Sequence, residues 1–258
     1  MTLPYTFDDD LIKMLRAPKP LYLYKYHPMN LHLIEMLTNA KFYMSKKSDL
    51  NDPLDLTYPI SLENYLNLYF KKNSSLERDP SLIEILSSCF NRDVERGCID
   101  WTNDFEELKF KLRVSCFTED GNNPLMWAHY AHNHTGVCLK FDMAGDIDLE
   151  KILYPISYKD ELIEVEKISD FTKCLLTKLK AWSIEKEWRI ISEKERISFK
   201  NGTLVEIVFG LNVSDSTVRW FKQFLENVYF MHTSICKLKI KENRIVKVDE
   251  WGDELNRD

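Results

Sequence analysis

NPLMWAHYAHNHTGVCLKF, residues 123–141, reads as a short helix that stops hard and turns into a strand. Pro124 fits a first helical position, where its missing N–H costs nothing. Gly136 fits a left-handed stop after the last turn. Val137 to Phe141 then alternates Val, Leu and Phe with Cys and Lys, which predicts a half-buried strand. On the helix, Met126 and Tyr130 share one face, and Trp127 and Ala131 share the next. His129 and His132 are three apart and can also share a face. So many polar-tipped rings on one short element mark a site or the wall of one.

Working outward, the pattern on either side mixes strands and helices. Leu21–Tyr26 is a β-type run ended by Pro28, and Asn30–Ala40 has helical spacing with Asn30 as its cap. Lys41–Ser45 reads as a second strand, and the Asn-, Asp- and Pro-rich residues 46–55 as an irregular loop. Asp8–Arg16, Ser61–Phe70, Ser81–Glu95 and Asp104–Lys111 read as helices, and the polar residues 71–80 as a mobile loop. Leu112–Thr118 and Ile152–Tyr158 read as strands. Glu161–Lys180 predicts a long helix with Val165, Ile168, Phe171, Leu175 and Leu179 along one side. Trp188–Ser192 and Leu204–Phe209 are β-type runs, Ser214–Glu226 an amphipathic helix, and Cys236–Ile240 with Arg244–Val248 a closing hairpin. Roughly eight strands and six helices, mixed rather than alternating, predict an α+β fold with a mixed or antiparallel central sheet. One domain over residues 1–258, with a helical insertion at 60–111, is the simplest division.

The bulk numbers narrow the classes of function. A hydrophobic content of 44% and a charged content of 29% over 258 residues are those of a globular chain with a sizeable core. The net charge of −6 provides no broad basic surface for nucleic acid, although a local basic groove is compatible with it. Seven glycines form no glycine-rich phosphate loop. Cysteines stand at 89, 98, 116, 138, 174 and 236, none with zinc-knuckle spacing, and most lie in apolar runs, as small buried hydrophobes in a reducing compartment do. MTLPYTFDDD at the start lacks the basic flank and apolar core of a signal peptide, and no run of 18 apolar residues occurs. A cytoplasmic protein without membrane contact is therefore expected.

Three further stretches bear on chemistry. In AWSIEKEWRII, residues 181–191, an extended Glu185–Ile191 would put Glu185, Glu187 and Arg189 on one side and Lys186, Trp188 and Ile190 on the other. That face is either a solvent-facing strand edge with a salt bridge or a carboxylate held against a ligand hydroxyl or a developing cation. Asn51-Asp52-Pro53-Leu54-Asp55 is either a plain turn or a rigid loop presenting polar groups. His129, His132 and His134 match no metal-ligand spacing, so no metal is expected, although with Asp52 or Asp55 they offer donors for one. Cys116 and Cys138 lie in apolar strands, which argues for burial rather than reactivity.

LYKY at 23–26, FYMSKKSDLNDPLD at 42–55, MWAHYAHNHTGVCLKF at 126–141 and EKEWRI at 185–190 together resemble a bacterial family known as domain of unknown function 2971. Its members are scattered among mobile-element and phage-defence genes. Beneath it lies a resemblance to the ADP-ribosyltransferase superfamily, in the strand–helix–strand start at 21–45 and the late Glu-x-Glu strand. That likeness implies an ADP-ribosyltransferase-like sheet and NAD as substrate. Carried over, Glu187 is the glutamate that stabilises the oxocarbenium-like transition state, with Glu185 as its partner. Tyr43 or Ser45 is the second-strand residue, and Lys25, Tyr24 or Tyr26 takes the first-strand position. The superfamily places His or Arg there; here His27 only follows it. Tyr43, Trp127 and Tyr130 would wall the nicotinamide, and Asn51, Asp52, His129 and Arg189 complete the cofactor-contacting set. The implied partners are a protein or nucleic-acid acceptor and an antitoxin or other defence protein, for a toxic effector in phage defence. Two other classes compete: a metal-dependent hydrolase or nuclease using His129, His134, Asp52, Asp55 and Glu187, and a non-enzymatic sensor docking through the aromatic stretch.

Overall fold

The computed structural model of the chain describes residues 16–57, 61–95, 112–165, 170–228, 233–249 and 252–255. The helices expected at Asp8–Arg16 and Asp104–Lys111 fall almost wholly outside them. In chain order the described elements begin with β1 (Tyr22–His27), α1 (Leu31–Asn39) and β2 (Lys41–Tyr43). Then come α2 (Leu62–Lys72), α3 (Pro80–Glu95), β3 (Arg113–Thr118), α4 (Pro124–Tyr130) and β4 (Val137–Asp142). The short α5 (Ile147–Glu150), β5 (Leu153–Pro155), β6 (Ser157–Lys159), α6 (Asp170–Leu175) and β7 (Thr177–Leu179) follow. The chain closes with β8 (Glu187–Ser192), β9 (Arg196–Ser198), β10 (Leu204–Phe209), α7 (Asp215–Glu226), β11 (Ser234–Lys241) and β12 (Arg244–Val248). The fold is α+β with a large mixed sheet, in the order β12-β11-β10-β4-β1-β3-β8-β5.

The chain divides into two compact units. One comprises 17–44, 114–154 and 184–258 and carries the large sheet. Alternate side chains of its strands point to opposite faces. Leu23, Phe117, Val137, Leu139, Phe141, Trp188, Ile190, Ile207 and Phe209 face one side, where α1 contributes Leu33, Met36 and Leu37, and α7 contributes Phe221 and Leu225. Phe42, Phe117, Phe141 and Phe199 meet there, with centroids 4.6–5.9 Å apart. Burying several such rings supplies much of the driving force for this layer. The other face gathers Tyr26, Cys138, Val208, Cys236 and Leu238 beneath Met126, Trp127 and Ala131 of the α4 segment. Because α4 covers that face, Val137 to Phe141 is buried throughout, not half-buried. Its alternation separates two cores rather than core from water.

Asn30 caps α1 as its position predicts, by accepting from Leu33 N; Ser214 caps α7 in the same way, by accepting from Thr217 N. β11 and β12 form an antiparallel hairpin whose two turn residues, Glu242 and Asn243, are both left-handed at φ 48° and 61°. Two left-handed residues are what a two-residue hairpin turn of the favoured twist requires.

The other unit comprises 45–113 and 155–183, with residues 1–16. It holds α2, α3, α6 and the parallel β6–β7 pair. Ser61 caps α2, and Asp79 Oδ1 accepts from Ser81 N at 2.8 Å, so Pro80 opens α3. The long helix expected at Glu161–Lys180 does not form: among the described residues helix is confined to Asp170–Leu175, and Thr177–Leu179 is a strand. The apolar residues Leu175 and Leu179 thus sit on different elements, and their helical spacing is coincidental. The strand expected at Ile152–Tyr158 is broken into β5 and β6.

Candidate active site

Asn123 Oδ1 accepts from Leu125 N at 3.0 Å and caps α4, with Pro124 in the first turn. The same side chain donates from Nδ2 to the Ile184 carbonyl at 3.1 Å, tying the start of α4 to the turn before β8. The end of α4 differs from expectation. The left-handed residues are His132, Asn133 and His134, at φ 48°, 54° and 64°, and Gly136 is not among the residues with positive φ. Gly136 is required for another reason. A Cβ there would lie 2.3 Å from the His27 carbonyl oxygen and 2.9 Å from that of Ala131. Glycine lets β4 start directly under the turn.

This geometry fixes the aromatic wall. Trp127 is buried edge-on to Tyr26, with centroids 5.2 Å apart, and His134 stacks on Trp127 at 5.2 Å and 7°. Tyr26 donates from its hydroxyl to the Asp120 carbonyl at 3.0 Å, and burial raises its pKa. Burial also raises that of Tyr24, with Lys140 and Lys247 pulling the other way. His129 is exposed, its ring 6.2 Å from that of Tyr130.

The second wall comes from the approach to β8. Glu185 does not lie in an extended strand. It ends a 3-10 turn over Lys180–Glu185, and Lys186 at φ 43° turns the chain into β8. Glu185 is nonetheless buried, and the Tyr130 hydroxyl donates to its Oε1. Glu187 and Arg189 share a strand face, as read from the alternation. Arg189 Nε donates to Glu187 Oε1 at 2.5 Å and one terminal nitrogen donates to Oε2 at 3.1 Å. With Arg189 at 0% and Glu187 at 4% exposure, the pair is buried, not a solvent-facing strand edge. Trp188 points the other way into the core and donates from Nε1 to Glu119 Oε1 at 2.6 Å.

Lys25 is on β1, on the face opposite Tyr24 and Tyr26. Its Nζ donates to Ser115 Oγ at 3.1 Å and to the Cys116 carbonyl at 3.0 Å. Burial lowers its pKa, while Cys116 and Glu187 pull it back up. Cys116 is half-buried, not fully buried as its apolar strand suggests. Desolvation and then the Glu187 carboxylate raise its thiol, which keeps it unreactive. That neighbour lies on the adjacent strand of the sheet and leaves no mark in the sequence around Cys116. Lys247 Nζ to Glu206 Oε2, at 2.7 Å, was missed. The charges set in LVEIVF and RIVKV were its visible signal.

Tyr43 lies on the two-stranded β2–β9 sheet, its ring stacked on His32 at 6.1 Å. Ser45, Asn51 and Asp52 belong to the other unit. There the loop is the turn its composition suggested. Asp52 Oδ1 accepts from Leu54 N at 2.9 Å, and Asp55 forms a buried ion pair with Lys178 at 3.6 Å. Among the described residues no three His, Cys, Asp or Glu side chains are grouped to hold a metal, and no helix is long and apolar enough to cross a membrane.

Residues 126–190 match the model of a family described as protein of unknown function (DUF2971). The match begins within α4 and ends on β8, so it takes in Trp127, Tyr130, Glu185, Glu187 and Arg189. It is the family that the sequence motifs resemble. No curated protein and no solved structure matches the chain.

Proposed function

We propose that the protein consumes NAD as an ADP-ribosyltransferase-type enzyme. The observation that carries the reading is the pair of buried carboxylates at Glu185 and Glu187, the first held by the Tyr130 hydroxyl and the second by the Arg189 guanidinium. In the reaction, the bond between the nicotinamide nitrogen and C1′ of the ribose breaks, and its electron pair leaves with nicotinamide. An acceptor nucleophile on a protein or nucleic acid then bonds C1′ and gives up its proton. Glu187 stabilises the positive charge that develops at C1′, an electrostatic effect that grows in a site shielded from water. Arg189 fixes the orientation of that carboxylate, and Tyr130 fixes Glu185. The strand–helix–strand start, β1-α1-β2, supports the same reading and an ADP-ribosyltransferase-like arrangement. An enzyme of this kind would act as a toxic effector by depleting NAD or modifying an essential acceptor.

The test uses NAD labelled in its adenylate half, incubated with purified protein and cell lysate. Label on a macromolecule indicates transfer, and label only in free ADP-ribose indicates hydrolysis. Intact NAD after prolonged incubation with folded protein would refute the reading.

A further inference from the structure

Four cations gather on an open groove of about 530 Å³ between α7 and the β11–β12 hairpin: Arg219 and Lys222 from the helix, Lys237 and Lys239 from β11. Two carboxylates, Asp215 and Asp249, stand among them, so the groove carries surplus positive charge in a chain whose net charge is −6. Two periodicities place these groups. Asp215, Arg219 and Lys222 run at helical spacing along one side of α7, beside the stripe through Phe221 and Leu225 that packs into the core. Leu238 points to the face that α4 covers, so Lys237 and Lys239 on either side of it point to the α7 face. The groove is remote from the carboxylate pair. β10, β4, β1 and β3 separate β11 from β8, about 24 Å at ordinary strand spacing, and Glu187 lies on the opposite face of the sheet.

The cations of the two elements act on one point. Lys237 Nζ donates to Asp215 Oδ1 at 2.6 Å. That bond, with the charges of Lys237, Lys239 and Arg219, holds the Asp215 carboxyl below its usual range against the opposing effect of burial. Like charges at neighbouring helix positions cost stability, and one carboxylate offsets only part of the repulsion. An anion is stabilised here, and charge is left over for more. The row also extends along the strand. Lys241 repeats the spacing of Lys237 and Lys239, so the three lysines span about 14 Å of β11. Lys241 Nζ donates to the Gly252 carbonyl at 2.8 Å, a neutral partner that leaves its charge in place. A row of this length suits a chain of separate anionic groups rather than one compact anion.

Trp220 decides between kinds of chain. It follows Arg219 on α7, is 55% exposed, and stacks on Phe224 with centroids 5.8 Å apart and the rings 5° from parallel. A basic groove joined to an exposed aromatic is the pairing that holds single-stranded nucleic acid, the cations tracking phosphates and the ring stacking on a base. An acidic peptide has no use for the ring. We infer that the groove between α7 and β11 binds the phosphate backbone of a single-stranded nucleic acid, with Trp220 stacking on one of its bases. The inference does not rest on the NAD reading.

The test is fluorescence anisotropy of a labelled thymidylate oligonucleotide of about 12 nucleotides, titrated with the whole chain in the absence of NAD. Binding should be saturable, with Kd below about 100 μM at about 50 mM salt. Raising the salt to about 200 mM should weaken it about sevenfold if two phosphates are neutralised and about fiftyfold if four are. Arg219→Gln combined with Lys239→Gln removes two charges from side chains that reach solvent; it should weaken binding at least about fivefold and flatten the salt dependence. Trp220→Ala should weaken binding about fivefold and leave the salt dependence as it was. No saturable binding by folded protein, an oligoglutamate of equal length binding as tightly, or binding unaltered by either variant would overturn the proposal.

Discussion

The hydroxyl of Tyr130 donates to Oε1 of Glu185 and so joins the last residue of α4 to the turn that launches β8. Glu185 is buried, so this bond has no ready substitute in water. Tyr130→Phe should therefore destabilise the protein by about 1–3 kcal/mol, as expected when a buried polar group loses a partner. It should also lower NAD turnover more than it lowers NAD binding. Urea unfolding and steady-state kinetics measure the two effects; unchanged values in both would mean that the bond orients nothing.

Glu187 and Arg189 are buried together, and buried pairs tolerate joint removal better than single removal. Arg189→Met alone should cost about 3 kcal/mol, because the carboxylate loses its guanidinium. Adding Glu187→Leu should recover part of that loss. A double-mutant cycle by urea unfolding reads the coupling directly, and simple additivity would contradict tight pairing.

Gly136 has no space for a side chain, although its backbone is not left-handed. Gly136→Ala should cost about 3 kcal/mol through contact with the His27 and Ala131 carbonyls. At Gly202, with φ 90° and open surroundings, alanine meets backbone strain alone and should cost less. Thermal unfolding of both variants tests the order.

His27 supplies a pH dependence. Burial, opposed by its contact with the Pro28 carbonyl and assisted by Lys25 and His32, brings its pKa from 6.5 to about 4. The unfolded chain therefore binds the proton more readily. Stability from this residue is complete above about pH 6.5 and is lost as pH falls toward about 4. His27→Gln should flatten that part of the stability–pH curve.

How far the sequence could carry the reading depended on the range of each interaction. Asn30 and Pro124 act within one turn, and their helices start where they predict. The shared face of Glu187 and Arg189 followed from strand alternation alone. The burial of Lys140 did not, because alternation put it on the strand face read as open to water. The left-handed run at His132–His134 was masked by the nearby glycine, which offered a simpler stop. The Glu161–Lys180 periodicity misled because tertiary context, not spacing, decides short apolar segments. Tyr130 was read as a wall for nicotinamide; its bond to Glu185 spans 55 residues and has no local signature.

The central claim is that Glu187 acts on NAD. Glu187→Gln keeps an acceptor for Arg189 but leaves the buried guanidinium without a counter-charge, so stability should fall together with transition-state stabilisation. The decisive measurement is free nicotinamide, followed by chromatography, with wild type and Glu187→Gln at equal concentration and at a temperature well below the unfolding transition of both. The account predicts steady release by the wild type and a loss of at least about a hundredfold in the variant. Equal release by both, or none from folded wild-type protein, would contradict it.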